Sequence, residues 1–295
     1  MFFSPIQYDE PVFRPPAEAR SAIIQATVGC SWNKCAFCEM YTSKKFKVRS
    51  FEELKPEIET LAKAYYGVKK VFLADGNAFV LSANKLIPLL IEIYNQFGKI
   101  QRISSYALPK DILRKSEQEL KDLKNLGLKL LYIGIETGDD ELLKLIHKGE
   151  TFNSTLDGVE KAHNAGIDTS IMIINGLGGK EYSEQHALKS AEIINKLNPK
   201  FLSTLTLSLP FGLEHFQNKF NGRYIQQTIV ELFEELKLFI DHLNVENVIY
   251  RSNHISNNLP LQGTLSKDKN QLIHFLDQAI QYTPKDKYPS SPEVL

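Results

Sequence analysis

The chain reads as an α/β protein built on a parallel sheet, and three observations point there. Short β-branched runs alternate with amphipathic segments about six times between residues 22 and 209. Helical segments lie between successive strands, which supplies the long crossovers that parallel pairing needs. The strands also stop at turn-forming or polar residues: Gly29, Asp75-Gly76, Glu136, Asn175-Gly176 and Pro210. This pattern fits either a partial barrel or a doubly wound sheet, and periodicity alone does not separate the two.

The elements follow in order. Residues 22–28 (Ala-Ile-Ile-Gln-Ala-Thr-Val) are β-branched and close at Gly29. Phe51, Leu54, Ile58, Leu61 and Tyr65 recur at helical spacing. Residues 70–74 form a short buried strand that breaks at Asp75-Gly76. The spacing predicts a helix over 82–97 despite Pro88, a strand over 100–106, and a charged helix over 111–125 stopped by Gly127. A strand over 129–135 runs into Glu136-Thr137-Gly138, and helices follow over 139–147 and 155–165. Strand 169–174, helix 183–197 and strand 201–209, stopped by Pro210, complete the alternating part. A helix over 231–243 and a polar strand within 248–254 come after it.

This layout implies an arm over residues 1–20, a core over 21–215 and a helical and strand extension over 216–295. Asp9, Glu10 and the prolines at 5, 11, 15 and 16 suit an extended arm and not a signal peptide. The 35 basic and 35 acidic residues balance, 43% of residues are hydrophobic, and no long apolar run occurs, so a soluble globular protein with no membrane association is expected. Balanced charge also argues against a nucleic-acid partner. The local exception, Lys44-Lys45-Phe46-Lys47-Val48-Arg49, reads more simply as a solvated loop.

Three cysteines occur in the chain, all between Cys30 and Cys38. With no disulfide framework they point to a reducing compartment, the cytoplasm. Three thiolates on one loop make a metal-ligand set with one position unfilled, and three readings follow. Structural zinc would need a distant histidine to complete Cys3His. An ordinary electron-carrying [4Fe–4S] centre would need a fourth cysteine. A [4Fe–4S] cluster held by three cysteines, its fourth iron left for a small molecule, matches the count without an added ligand.

The segment resembles the cluster loop of radical S-adenosylmethionine (SAM) enzymes, in which the open iron is chelated by SAM. Cys35-Ala36-Phe37-Cys38 keeps the family's Cys-x-aromatic-Cys form, which implies that Phe37 lies near the adenine. The usual spacing is Cys-x3-Cys-x2-Cys, and here the first gap is one residue longer. That residue is expected to bulge out at positions 31–34, with Trp32 on the bulge and Cys30, Cys35 and Cys38 still reaching one cluster. The likeness covers roughly residues 22–210. It is to compact members related to the branch holding the Elongator catalytic subunit, the methylthiotransferases and oxygen-independent coproporphyrinogen oxidase. It implies a partial (β/α)6 TIM-like barrel of the radical SAM type with a short C-terminal extension closing it, and chemistry at the C-terminal strand ends, where barrel enzymes place their sites.

The strand ends offer residues that the resemblance would use for SAM. Asp75-Gly76-Asn77 is similar to the family's Gly-Gly-Glu segment, although Asp-Gly is also a plain turn pair. Glu136, in Gly134-Ile135-Glu136-Thr137-Gly138, resembles the Gly-x-Glu-Ser-Gly segment and is expected to hold SAM; its other reading is a cap for the next helix. Gly178 and Glu181 fall in register with a glycine-rich family segment, and Pro210 with Phe211 would wall the adenine. Arg251, Asn253 and His254 are polar for a core strand and are candidates for a substrate pocket folded over the open side, with Arg251 on a carboxylate.

The resemblance implies an enzyme that reductively cleaves SAM, receives its electron from a flavodoxin or ferredoxin-type donor, and abstracts hydrogen from a small-molecule substrate. An RNA or peptide substrate, or a non-catalytic zinc or iron–sulfur protein, are the alternatives. With no further cysteine, no second cluster of the methylthiotransferase kind and no methylated-cysteine chemistry are expected. Neither a cobalamin domain in the arm nor an auxiliary cluster module in the tail is expected.

Overall fold

A computed structural model describes residues 4–289, which divide into two compact units. The first comprises residues 4–33, 39–133 and 157–169; the second comprises 34–38, 134–156 and 170–289.

The first unit opens with strands β1 (Ala22–Gln25) and β2 (Thr27–Val28). The single strand expected over 22–28 is thus interrupted. The Ala26 N–H still reaches the Ala74 carbonyl at 2.6 Å, after which the chain leaves the parallel ladder and β2 pairs antiparallel with β3 (Lys47–Val48). Helix α1 (Phe51–Ala64) starts at a reciprocal Ser50–Glu53 capping box and buries Leu54, Ile58 and Leu61. Strand β4 (Lys70–Ala74) follows as expected. Helix α2 (Ala83–Phe97) runs through Pro88. An interior proline costs about 3 kcal/mol, and burial of Leu86, Leu89, Leu90 and Ile93, at about 1.5–3 kcal/mol each, outweighs it.

After β5 (Arg102–Tyr106) the helix expected over 111–125 is two helices, α3 (Pro109–Leu113) and α4 (Glu117–Asn125). Two side chains cause the break. Ser116 forms a second capping box with Glu119. Lys115 turns inward, its Nζ donating to the Phe79 carbonyl at 2.8 Å, and burial pushes its pKa down to about 8. Strand β6 (Leu128–Glu136) then runs from the first unit into the second. Strand order in the first unit is β1-β4-β5-β6, all parallel.

The arm before β1 is docked along the first unit. Tyr8 donates to the Ile23 carbonyl, and Asp9 exchanges two 2.9 Å backbone–side-chain bonds with Gln25. Glu18, fully buried, is met by Arg102 and the Tyr132 hydroxyl, each at 2.6 Å.

The second unit adds α5 (Asp140–Leu145), the start of α6 (Phe152–Asn164), β7 (Asp168–Asn175), α7 (Gly179–Leu197), β8 (Phe201–Thr206), α8 (Leu213–Lys219) and α9 (Ile229–Asp241). Strands β9 (Ile249–Ser252) and β10 (Leu261–Thr264) and helix α10 (Leu265–Tyr282) end it. Strands β7, β8 and β9 pair parallel and β10 pairs antiparallel with β9. Helix α7 begins four residues earlier than expected, because positive φ at Gly176 and Gly179 lets the glycine-rich turn wind directly into its first turn. The polar strand expected within 248–254 is β9, hydrogen-bonded on both sides.

The two faces of β7, β8 and β9 differ. Ile171, Ile173, Leu202, Thr204, Tyr250 and Ser252 are buried, and Ile173, Asn175 and Thr204 line one small cavity with His186, Leu236 and Phe239 of α7 and α9. Of the alternate residues, Ser170 and Ile174 on β7 are buried, Phe201, Ser203 and Leu205 on β8 are half-buried, and Arg251 on β9 and Gln262 on β10 are exposed. Among the described residues no helix is long and apolar enough to cross a membrane.

Candidate functional site

In the first unit the C-terminal end of β4 supports the start of the cysteine loop. Asp75 is fully buried, and its Oδ2 accepts from the Gly29 N–H at 3.1 Å, Lys44 Nζ at 2.8 Å and Gln25 Nε2 at 3.2 Å. Lys44 also donates to the Asp9 carbonyl. Its side chain is 3% exposed, so the solvated-loop expectation for the basic run fails at Lys44: a buried cation needs a paired anion, and Asp75 supplies it. Lys47 and Arg49 pair with Glu53 and Glu57. Asp75 Oδ1 is buried without a hydrogen-bond partner among the described residues.

Gly76 packs directly on Cys30. A Cβ there would stand 2.7 Å from both Cys30 Cα and Cβ and 2.9 Å from the Gly29 carbonyl, so no side chain fits. Asn77 completes the contact. Its Oδ1 accepts from the Ser31 N–H at 3.0 Å, and its Nδ2 donates to Ser31 Oγ at 2.8 Å and to Asp111 Oδ2 at 2.7 Å. Between Cys30 and Cys35, Asn33 is left-handed (φ 45°) and its amide donates to the Tyr41 carbonyl. Trp32 lies beneath Lys110, whose Nζ is 3.6 Å from the ring centroid. Gly76→Ala is expected to cost about 1–3 kcal/mol through overpacking and to lower iron uptake by displacing Cys30. Thermal melting and iron analysis check this; an unchanged melt with full iron would show that the loop yields without consequence.

In the second unit Cys35 and Cys38 are half-buried, and no disulfide joins any of the three cysteines. The segment is pinned by the Ala36 N–H donating to the Ile146 carbonyl at 2.8 Å. Ala36 is buried against Leu142, Ile146, Leu177 and the aromatic rings of Tyr182, Phe216, Phe220 and Tyr224, and Phe37 packs on the same group. Lys148 Nζ stands 6.0 Å from the Phe37 ring centroid and 2.6 Å from Glu136 Oε1. Both side chains of this pair are under a tenth exposed. Burial opposes the charge on Lys148, yet Glu136 together with Cys35 and Cys38 holds its pKa above the ordinary lysine value.

Glu136 itself has a left-handed backbone (φ 66°), sparsely populated for a residue with a side chain. It does not cap the next helix. Asp139 does, its carboxylate accepting from the Leu142 N–H at 2.9 Å.

At the end of β7, Gly178 precedes α7 with room for no Cβ, which would meet Tyr182 Cβ at 2.6 Å. Glu181 is exposed and pairs with Arg223 at 2.5 Å. Pro210 is exposed beyond β8, next to Phe211, 58% exposed. Of the residues expected at the site, the structure groups Cys30, Asp75 and Gly76 in the first unit. It groups Cys35, Phe37, Cys38 and Glu136, joined by Lys148, in the second. Glu181 and Pro210 are exposed after β7 and β8, and Arg251 and Asn253 are exposed on β9 and just after it.

Sequence reasoning passed over His186 and Glu235. His186, buried in α7, is within 2.8 Å of Thr137 Oγ1 and 3.0 Å of the Ile174 carbonyl, which ties the residue after Glu136 to the end of β7. Glu235 accepts from the Gly176 N–H at 2.6 Å. The available signal was a carboxylate at a core position of α9, among Leu232, Phe233, Leu236 and Phe239. Among the described residues no group of three or more His, Cys, Asp or Glu side chains is arranged to hold a single metal ion.

The family model described as the Radical SAM superfamily matches residues 24–194, more than half of the chain, and the chain belongs to that family. Its members are enzymes whose cofactors are a [4Fe–4S] cluster and SAM. Among curated relatives, the tRNA-2-methylthio-N(6)-dimethylallyladenosine synthase of Alkalilimnicola ehrlichii is 28% identical over 186 residues, 58% of this chain and 39% of that protein. The hopanoid C-3 methylase of Methylococcus capsulatus is 24% identical over 157 residues, 52% of this chain and 28% of that protein. The chain spans about a third of the length of such relatives.

Among solved structures, coproporphyrinogen III oxidase from Escherichia coli aligns with a TM-score of 0.60 at 19% identity, over 76% of this chain and 54% of that one. Methylornithine synthase aligns with a TM-score of 0.52 at 14% identity, over 92% and 82%. The fold is the partial (β/α)6 type expected from the sequence.

Proposed function

We propose that this chain binds a [4Fe–4S] cluster through Cys30, Cys35 and Cys38, cleaves SAM reductively and abstracts hydrogen from a small-molecule substrate. The observation that carries this is the cysteine set: three cysteines in all, within nine residues, inside the segment that matches the family. The surroundings suit the group. Gly76 gives way to Cys30, the Lys148 cation sits beside Cys35 and Cys38 where an anionic thiolate-bound cluster would need it, and no disulfide consumes the thiols.

A cluster held by Cys30, Cys35 and Cys38 would supply one-electron reductive chemistry toward the SAM sulfonium. The protein's part is to orient and to exclude water. Phe37 offers its face to the adenine. Asp75 Oδ1 has acceptor capacity to spare for the amino group, Glu136 accepts from ammonium or ribose, Gly178 brings main chain close, and Pro210 with Phe211 gives an apolar wall. Glu181 is engaged by Arg223 and serves the cofactor only if that pair opens. A flavodoxin or ferredoxin-type protein delivers the electron. The basic run offers little to RNA, since Lys44, Lys47 and Arg49 are spent in ion pairs.

The test is anaerobic reconstitution followed by incubation with SAM and dithionite. The expected products are methionine and 5′-deoxyadenosine in equal amounts. Zinc bound stoichiometrically in protein purified without oxygen, with no iron uptake, would sink the reading.

A further inference from the structure

The sheet of the second unit carries one feature that neither cluster nor SAM uses. Strand register places Met172, Ser203, Arg251 and Gln262 side by side in a single row across β7, β8, β9 and β10. Neighbouring strands are about 4.8 Å apart, so the Ser203 hydroxyl and the Gln262 amide flank Arg251. This row lies on the face opposite Tyr250 and Ser252, which are buried. Met172 and Ser203 are half-buried, and Arg251 and Gln262 are exposed.

Arg251 is the only charged side chain on this face of the four strands within the second unit; the others are serine, threonine, glutamine or apolar. Among the described residues no carboxylate pairs with it and no hydrogen bond engages its side chain. Its strand is hydrogen-bonded on both sides, to β8 and to β10, so it is not an edge strand, where lone cations commonly guard against aggregation. A guanidinium presents a rigid fork of donors matched to carboxylate and phosphate oxygens. At such a position it leaves that fork open.

We infer that Arg251, with Ser203 and Gln262, is the anion-recognition element for the substrate: the molecule acted upon carries a carboxylate or phosphate group. As a statement about substrate this rests on the radical SAM reading; as a statement about binding it does not.

The experiment is equilibrium dialysis of the purified, reconstituted protein against a small-metabolite extract, with retained compounds identified by mass spectrometry for wild type, Arg251→Gln and Arg251→Lys. Compounds retained by wild type and lost by Arg251→Gln should be carboxylates or phosphates, their masses telling which. Retention should fall about ten- to hundredfold, the scale of one charge-assisted contact, and Arg251→Lys should recover part of it. Melting temperature and iron content should be unchanged in both variants, because Arg251 is exposed and its side chain makes no hydrogen bond or ion pair among the described residues. Identical retention by wild type and Arg251→Gln, or differences confined to neutral and cationic compounds, overturns the inference. Failure of the radical SAM reading would show separately, as no 5′-deoxyadenosine from any variant.

Discussion

Cys30→Ala, Cys35→Ala and Cys38→Ala are each expected to abolish the proposed cluster, and with it SAM cleavage. Wild-type protein reconstituted without oxygen should hold about four iron and four sulfide per chain, and each variant should lose the charge-transfer absorbance while keeping its fold. In the proposed site all three thiolates would be needed as ligands, so losing any one of them should not be made good by a neighbour. The chain offers no fourth cysteine as a substitute. Retention of full iron by any one variant would remove that cysteine from the ligand set.

The second large effect is expected at Glu136. Its ion pair with Lys148 is 2.6 Å long and under a tenth exposed on both sides. Removing one partner of a buried pair leaves an uncompensated charge, at a cost of about 3–5 kcal/mol, so Glu136→Ala should melt well below wild type. Adding Lys148→Met should recover much of the loss, because it removes the stranded cation. A helix cap would cost about 1 kcal/mol and would not be rescued in this way; the cap belongs to Asp139. Neither residue is an iron ligand, so the milder Glu136→Gln should keep the cluster and weaken SAM binding by about 1.5–3 kcal/mol. Iron content, melting temperature and SAM affinity measured on these variants decide the matter. Unchanged affinity would take Glu136 out of the SAM site.

Much of the fold was legible because hydrophobic period and turn residues agreed. Strand β4 appears at its expected bounds, and helix α1 ends within a residue of them. The misses have local causes that one-dimensional patterns hide. The strand over 22–28 breaks because Thr27 and Val28 find antiparallel partners in β3, twenty residues on. The helix over 111–125 splits because Lys115 is buried, and a charged side chain reads as surface until its carbonyl partner at Phe79 is known.

Site residues divide the same way. Cysteine count and spacing are visible in the sequence, since thiolate chemistry follows residue type. Lys148 carries no such signal, because nothing in the sequence tells that its charge is buried against Glu136, twelve residues away, and beside the Cys35–Cys38 segment. Lys44 was taken for solvated surface for the same reason: its partner, Asp75, lies thirty-one positions away.

The anchorage of Cys30 draws on Asp9, Gln25, Lys44, Asp75 and Asn77, five positions scattered over the first quarter of the chain. Loop closures of that span form only once their distant ends meet. During synthesis the thiol of Cys30 therefore emerges early and waits, without its supporting loop, until the ribosome has delivered everything through Asn77. The anchorage of Cys30 is accordingly complete only after that point in biosynthesis.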